Sequence, residues 1–413
     1  MRKISSRCIA LAALEEWRAG RKFADAILGE RLRSSGLDAA DRAFATELFY
    51  GVLRNITLLD FWLSQLRSGH LDHDSRDLLR LGLYQLFLLQ TPEHAAIYET
   101  VELANRRKRA LINGVLRNAV RGKADLLQKA DAEKLSVRRS HPQFLIDRWA
   151  KNFGTEEAEK LCEWNNRPAP IYARLNRLKI SDEDFLGRYG DIAQSAAAPN
   201  FIRLTNVPSE ALAAGHCYIQ DPSTLAACSL LDPQPGERVL DACAAPGGKT
   251  SFIAELMKND GVLLACDRDE RRVETLSDNL KRLGVEIARA IRHDWKKQTL
   301  EGQAPFDRIL IDVPCSNTGV MRRRVDVRWR LTPDDFPRMA AEQFRIVREI
   351  VPLLKRNGVL VYSTCSLEPE ENEEVVNAIL KEFPFLRLDE QKSVVPFRDG
   401  FDGAYAAKLI RQL

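Results

Sequence analysis

From Ser5 to about Lys134, apolar residues recur at three- and four-residue intervals, the period of amphipathic helices, with few strand signals between them. Leu79, Leu83, Leu86 and Phe87 form one such stripe and are expected in a core. Turn signals at Ser34-Ser35-Gly36 and Thr91-Pro92 cut the region into short helices, which predicts an all-α bundle. The period then changes. Phe144 to Cys162 reads as helix, Tyr172 to Leu178 as a strand and Phe201 to Thr205 as a second extended stretch, which together suggest a small α+β module. After Asp232-Pro233-Gln234-Pro235-Gly236, short apolar strands alternate with helices: Arg238 to Asp241, Val262 to Cys266, Ile287 to Arg292, Arg308 to Ile311 and Val359 to Ser363. Such alternation predicts a doubly wound, mainly parallel sheet. The expected domains are therefore 1–138, 139–222 and 223–413.

Composition removes whole classes of alternative. Of 413 residues, 45% are hydrophobic and 29% charged, beside 22 Gly and 18 Pro, which fits a globular chain and excludes disorder, collagen and coiled coil. No run of about 18 apolar residues occurs, so no membrane-spanning helix is expected. Arg2 and Lys3 followed by Cys8 to Leu14 have the outline of a signal peptide, but Glu15 and Glu16 interrupt it. An amphipathic first helix in a cytoplasmic protein is the reading. The closest pair of the eight cysteines, Cys217 and Cys228, is eleven apart, which speaks against a zinc knuckle, any other metal site or a disulfide scaffold. The net charge of +4 is unevenly spread: residues 1–140 hold 24 Lys+Arg against 17 Asp+Glu. A polyanion such as nucleic acid suits that front half, with Arg106-Arg107-Lys108-Arg109, Arg117 and Arg121 as its densest basic cluster.

In a doubly wound sheet, ligands bind at the carboxyl ends of the strands, so the residues just beyond each strand carry the chemistry. The first strand runs into Asp241-Ala242-Cys243-Ala244-Ala245-Pro246-Gly247-Gly248-Lys249-Thr250, a glycine-bearing loop that opens a helix. A phosphate-cradling Walker loop needs Gly where Cys243 stands, and a nicotinamide loop needs GxGxxG, so neither cofactor is favoured. Asp267 ends the second strand twenty residues beyond Gly247, the usual place for a carboxylate on ribose hydroxyls. Asp294 follows the third strand and Asp312 the fourth. Two cysteines share this rim, Cys315 in Asp312-Val313-Pro314-Cys315-Ser316 and Cys365 in Ser363-Thr364-Cys365-Ser366, and both are expected to be exposed. In the middle module, Arg174 and Asn176 alternate onto one strand face, a polar surface suited to RNA.

These motifs closely resemble those of the RNA (cytosine-5) methyltransferases of the RsmB/Fmu and NSUN group. Asp241 to Thr250 looks like that family's cofactor loop, and the Pro-Cys and Thr-Cys motifs like its paired cysteines, a pair that separates its RNA enzymes from DNA enzymes. The front resembles a NusB-like RNA-binding domain through Phe49-Tyr50-Gly51-Val52-Leu53-Arg54, Leu79-Arg80-Leu81-Gly82-Leu83-Tyr84 and Asn113-Gly114-Val115-Leu116-Arg117. The chain departs from the family at Asn317, where Gly is usual, and at Val325, where Pro is usual before Asp326.

The resemblance implies an all-α NusB-like domain, a small RRM-like module and a Rossmann-like class I methyltransferase domain. It implies transfer of a methyl group from S-adenosylmethionine to carbon 5 of a cytosine in RNA, with Cys365 as nucleophile, Cys315 assisting product release and Asp312 at the base's edge. Cys243, Ala244, Ala245, Pro246, Gly247, Gly248 and Lys249 would hold the methionine part of the cofactor, Asp267 its ribose, and Asp294 its adenine, with Asp312 also bordering the site. Arg174, Asn176, Arg322 and Arg323 are the candidates to hold RNA phosphates. The NusB-like front points to 16S ribosomal RNA as substrate and partner, and the protein is expected to be a monomer that uses no metal and no membrane. Transfer RNA as substrate, methylation of DNA or protein, and a catalytically silent RNA-binding assembly factor are the alternatives.

Overall fold

Ser5 accepts a hydrogen bond from the Cys8 N–H and so starts the first helix, Ser6–Arg18, which buries Ala10, Ala13 and Leu14. The computed structural model describes residues 5–297, 300, 302 and 304–412. It contains two compact units, Met1–Arg167 with Met321–Arg330, and Pro168–Val320 with Leu331–Leu413. The first is helical throughout its described residues. Leu79, Leu83, Leu86 and Phe87 are all buried, packed with Trp62, Phe49 and Leu116 as the periodicity predicts. Gly154, at φ +100°, divides the expected helix over 144–162 into Gln143–Phe153 and Thr155–Asn166. Both of those helices go with this compact unit, which extends to Arg167.

The ten residues Met321–Arg330 join the same unit because their side chains are satisfied there. Val325 enters the core, the Trp329 indole N–H donates to the Leu53 carbonyl at 2.8 Å, and Asp326 accepts from the Ala24 N–H at 3.1 Å. Arg328 is fully buried and donates to Asn166 Oδ1 at 2.7 Å and to the Asn165 carbonyl at 3.0 Å. A cation beside the last carbonyls of helix Thr155–Asn166 is the favourable arrangement.

The second unit holds two sheets. The smaller is built from β1 (Ile171–Leu175), β2 (Ala193–Ala198), β3 (Phe201–Leu204) and β4 (Cys217–Ile219), in the order β2-β3-β1-β4 with every pair antiparallel. Helices Asp182–Tyr189 and Ser209–Ala214 complete a β-α-β-β-α-β module. The larger sheet comprises β5 (Arg238–Asp241), β6 (Val262–Asp267), β7 (Ala288–Arg292), β8 (Phe306–Asp312), β9 (Leu354–Thr364), β10 (Leu386–Val394) and β11 (Ala404–Arg411). Its order is β10-β11-β9-β8-β5-β6-β7. Strands β5 to β9 are parallel to their neighbours, while β11 runs antiparallel between β9 and β10. The chain moves outward from β5 to β7, then returns to β8 beside β5. That reversal is the switch point where such sheets open a crevice at their carboxyl ends. Among the described residues, no helix is long and apolar enough to cross a membrane.

Candidate active site

Register brings the two cysteine motifs together. Strands β8 and β9 are parallel neighbours with Asp312 opposite Ser363, so the loops that leave them start side by side. The Cys315 and Cys365 sulfurs lie 3.2 Å apart. Both are less open than the sequence suggests: Cys315 is buried and Cys365 half-buried, because each loop folds back over the other. The Cys365 hydrogen bond and burial together push the Cys315 thiol well above its usual range, so it holds its proton near neutrality.

Behind the sulfurs, Glu371 is fully buried yet well satisfied. Its Oε2 accepts from the Ser316 N–H at 2.9 Å and from Gln343 Nε2 at 2.8 Å, and its Oε1 accepts from Ser366 Oγ at 2.7 Å. Gln343 Nε2 also donates to the Pro314 carbonyl at 3.0 Å. One carboxylate thus ties the Pro-Cys loop to the Thr-Cys loop. Sequence reasoning missed it: Glu371 sits within a run of acidic residues, and nothing local separates it from its neighbours.

Asp312, at the end of β8, accepts from Lys249 Nζ at 2.6 Å and from Ser363 Oγ at 2.9 Å. The lysine therefore reaches across the sheet with its side chain instead of serving only through its backbone. Asp312 raises the Lys249 pKa enough to outweigh the opposing burial, so the lysine stays charged. Asp241, wholly buried at the end of β5, accepts from Thr250 Oγ1 at 2.7 Å. Burial pushes its carboxyl up to about 7.

The loop after β5 is tightly held. At Gly247, where φ is +105°, a Cβ would come 2.9 Å from Leu276 Cδ1. At Gly248 it would come 2.9 Å from Tyr218 Cε1. These glycines therefore let the loop pack against its own surroundings, which fixes the start of helix Gly248–Leu256. The N–H groups of that first turn have no partner within the helix and suit a carboxylate. Burial pushes the Cys243 thiol up, which leaves it an inert side chain. Asp267 closes β6 almost fully buried, with Arg272 Nη1 at 3.3 Å and the Asp269 N–H at 3.1 Å. Asp294, beyond β7, accepts from the Lys296 N–H at 3.1 Å. This donor set, a helix start followed by carboxylates at successive strand ends, fits a cofactor that carries an amino acid, a ribose and a positive charge.

Two groups of expected residues lie elsewhere. Arg174 is 1% exposed and does not face RNA: it donates to Glu255 at 2.5 Å, Ser251 Oγ at 2.7 Å and Gln220 Oε1 at 3.1 Å, with its guanidinium over Phe252. Asn176 is buried too, donating to the carbonyls of Gly215 and Leu283. Helix Gly248–Leu256 and the end of helix Glu270–Arg282 cover the face that strand alternation leaves polar. Arg322 is buried with its guanidinium 4.0 Å from the Trp164 ring centroid, so it packs the helical unit instead of meeting a phosphate. Arg323 is half-buried and Arg324 exposed.

Comparison with known proteins gives this geometry its context. Residues 228–410 match the family described as 16S rRNA methyltransferase RsmB/F, residues 4–121 the NusB family, and residues 141–206 the ferredoxin-like domain of RsmF/B-type methyltransferases. The probable ribosomal RNA small subunit methyltransferase B of Bacillus subtilis is 37% identical over 409 residues, covering 94% of this chain and 91% of that protein. The chain belongs to the RsmB/F family of rRNA methyltransferases. The ribosomal RNA small subunit methyltransferase B of Escherichia coli K12 is likewise 37% identical, across 90% of this chain and 91% of its own. Among solved structures, PH0851 superposes with a TM-score of 0.80 at 26% identity over 99% of both chains. A methyltransferase homolog from Pyrococcus horikoshii gives 0.60 at 33% identity, over 68% of this chain and 98% of that one. Family membership makes this an S-adenosylmethionine-dependent methyltransferase of ribosomal RNA. It also bears out the expected NusB-like domain, small α+β module and Rossmann-like domain.

Proposed function

We propose that the chain methylates carbon 5 of a cytosine in 16S ribosomal RNA through a transient bond between Cys365 and carbon 6 of the base. The observation that carries this reading is the 3.2 Å separation of two thiols at the carboxyl ends of adjacent strands, beside an aspartate held by a lysine. Carbon 5 of neutral cytosine is a weak nucleophile. Once the Cys365 proton is lost to solvent, addition of its sulfur to carbon 6 pushes electron density onto carbon 5, which would then form the new carbon–carbon bond as the methyl donor leaves as a neutral thioether. Loop 243–249 would hold S-adenosylmethionine, with Asp267 toward its ribose and Asp294 toward its adenine, and the cofactor would supply an electrophilic methyl group. The target base must leave its stack to reach the cysteines.

Asp312 accepts a hydrogen bond from the base's exocyclic amine, and Lys249 balances its charge so that the ring can become electron-rich without repulsion. Cys315 acts second. Its proton is held chiefly by the neighbouring Cys365 sulfur. Once that sulfur is bonded to carbon, the main cause of the shift is gone, the Cys315 thiol gives up its own proton to solvent, and its thiolate becomes available as a base. It then takes the carbon 5 proton as the bond to Cys365 breaks, which frees the product.

The test is a pair of variants assayed on 16S RNA. Cys365→Ala should abolish methyl transfer, and Cys315→Ala should accumulate a protein–RNA species that survives denaturing electrophoresis. Turnover by Cys365→Ala, with no such species from Cys315→Ala, would overturn the assignment.

A further inference from the structure

Asn317 touches both cysteine motifs. Its backbone is left-handed, with φ at +61°, a conformation glycine adopts freely and asparagine at modest cost. A turn residue needs nothing more, yet the side chain is fully used. Its Nδ2 donates to the Cys315 carbonyl at 2.7 Å, and its Oδ1 accepts from the Cys365 sulfur at 3.3 Å. The first bond settles the orientation of the amide, because a flipped side chain would set two carbonyl oxygens against each other. The oxygen therefore faces the sulfur. Cys315, which keeps its proton, donates in turn to Cys365. Cys365 thus lies between a donor thiol and an acceptor amide.

We propose that Asn317 restrains the nucleophile: its amide oxygen takes the Cys365 S–H as a hydrogen bond and keeps that sulfur seated against Cys315 until a substrate base enters. That hydrogen bond must break before the S–H can be given up, and the thiolate is the reactive species. The meaning of the inference rests on Cys365 being the nucleophile, but its measurement does not.

The experiment is alkylation of Cys365 by iodoacetamide in the full chain without RNA, at one fixed pH, followed by peptide mass spectrometry. Asn317→Gly keeps the left-handed turn and removes the amide. Losing one hydrogen bond to the neutral thiol should speed Cys365 alkylation about fivefold. Asn317→Asp places a negative charge beside the forming thiolate and should slow it. Opposite signs from the two variants cannot come from a loosened loop, which would speed both. An Asn317→Gly rate equal to or below that of the natural chain, or acceleration in both variants, overturns the proposal. Methyl transfer by Cys365→Ala, measured alongside, reports separately on the nucleophile: turnover there removes the catalytic reading and leaves the alkylation result standing.

Discussion

Arg174 Nη1 lies 2.5 Å from Glu255 Oε2, and the two side chains are 1% and 6% exposed. A buried pair of this kind makes the small sheet and helix Gly248–Leu256 one packed body. Removing either partner strands a charge away from water, which costs about 3–5 kcal/mol. Arg174→Ala and Glu255→Ala should therefore each lower unfolding stability by about that much, measured by urea titration. RNA affinity of the folded fraction, measured by fluorescence anisotropy, should change by less than about twofold, because neither group reaches the surface. Weakened RNA binding at unchanged stability would restore Arg174 to the RNA-facing role that the strand pattern suggests.

Local signals account for what was legible before the structure. The strand-end aspartates and the two cysteine motifs each follow an apolar run short enough to read as a strand, and a parallel sheet sends such ends to one rim. Where the reading goes astray, burial is set by a distant segment. Arg174 and Asn176 read as a polar strand face because nothing near them announces helix Gly248–Leu256 or the Leu283 carbonyl. Arg322 sits in a run of three arginines that looks solvated, yet Trp164 covers it. Asn317 is visible as a departure from its family's glycine, but its contact with Cys365 depends on the register of β8 against β9.

Asp241 makes stability depend on pH. Its carboxyl titrates at about 7 in the folded chain, raised chiefly by burial, against about 3.9 when unfolded. Between those values the folded state binds the extra proton. The stabilising contribution is thus complete below about pH 4 and is lost as pH rises through about 7. Its slope reaches at most about 1.4 kcal/mol per pH unit. Asp241→Asn keeps an oxygen for Thr250 and carries no titrating proton, so the difference in unfolding free energy between the variant and the natural chain should grow from pH 5 to pH 8. A difference that stays constant across that range would show that Asp241 titrates outside it.

Lys249 and Asp312 allow a test of charge balance. Lys249→Met leaves Asp312 negative with Ser363 as its remaining side-chain partner among the described residues, so a base whose ring gains electron density would meet uncompensated charge. Single-turnover methyl transfer should fall at least about tenfold, the equivalent of 1.4 kcal/mol in the barrier. Arginine should restore little of this, since a planar fork does not occupy the position of a compact ammonium. Full activity in Lys249→Met would remove Asp312 from the base's edge.

Glu371 touches no sulfur, yet it holds both sulfur-bearing loops. Glu371→Ala leaves the Ser316 N–H, buried at the start of one loop, without its acceptor, and breaks the link from Ser366 in the other. A buried donor left unpaired costs about 1–3 kcal/mol, and Gln343 and Ser366 keep other partners, so a loss of about 1–3 kcal/mol in unfolding free energy is expected. The cysteines should also lose their registration, which slows covalent capture of RNA more than RNA binding. An RNA carrying 5-fluorocytosine separates the two effects, because fluorine blocks release and the trapped species can be timed against equilibrium affinity. Glu371→Gln retains one acceptor oxygen and should recover part of both the stability and the trapping rate. If trapping stayed as fast in Glu371→Ala as in the natural chain, the loops would be positioned by their strands alone.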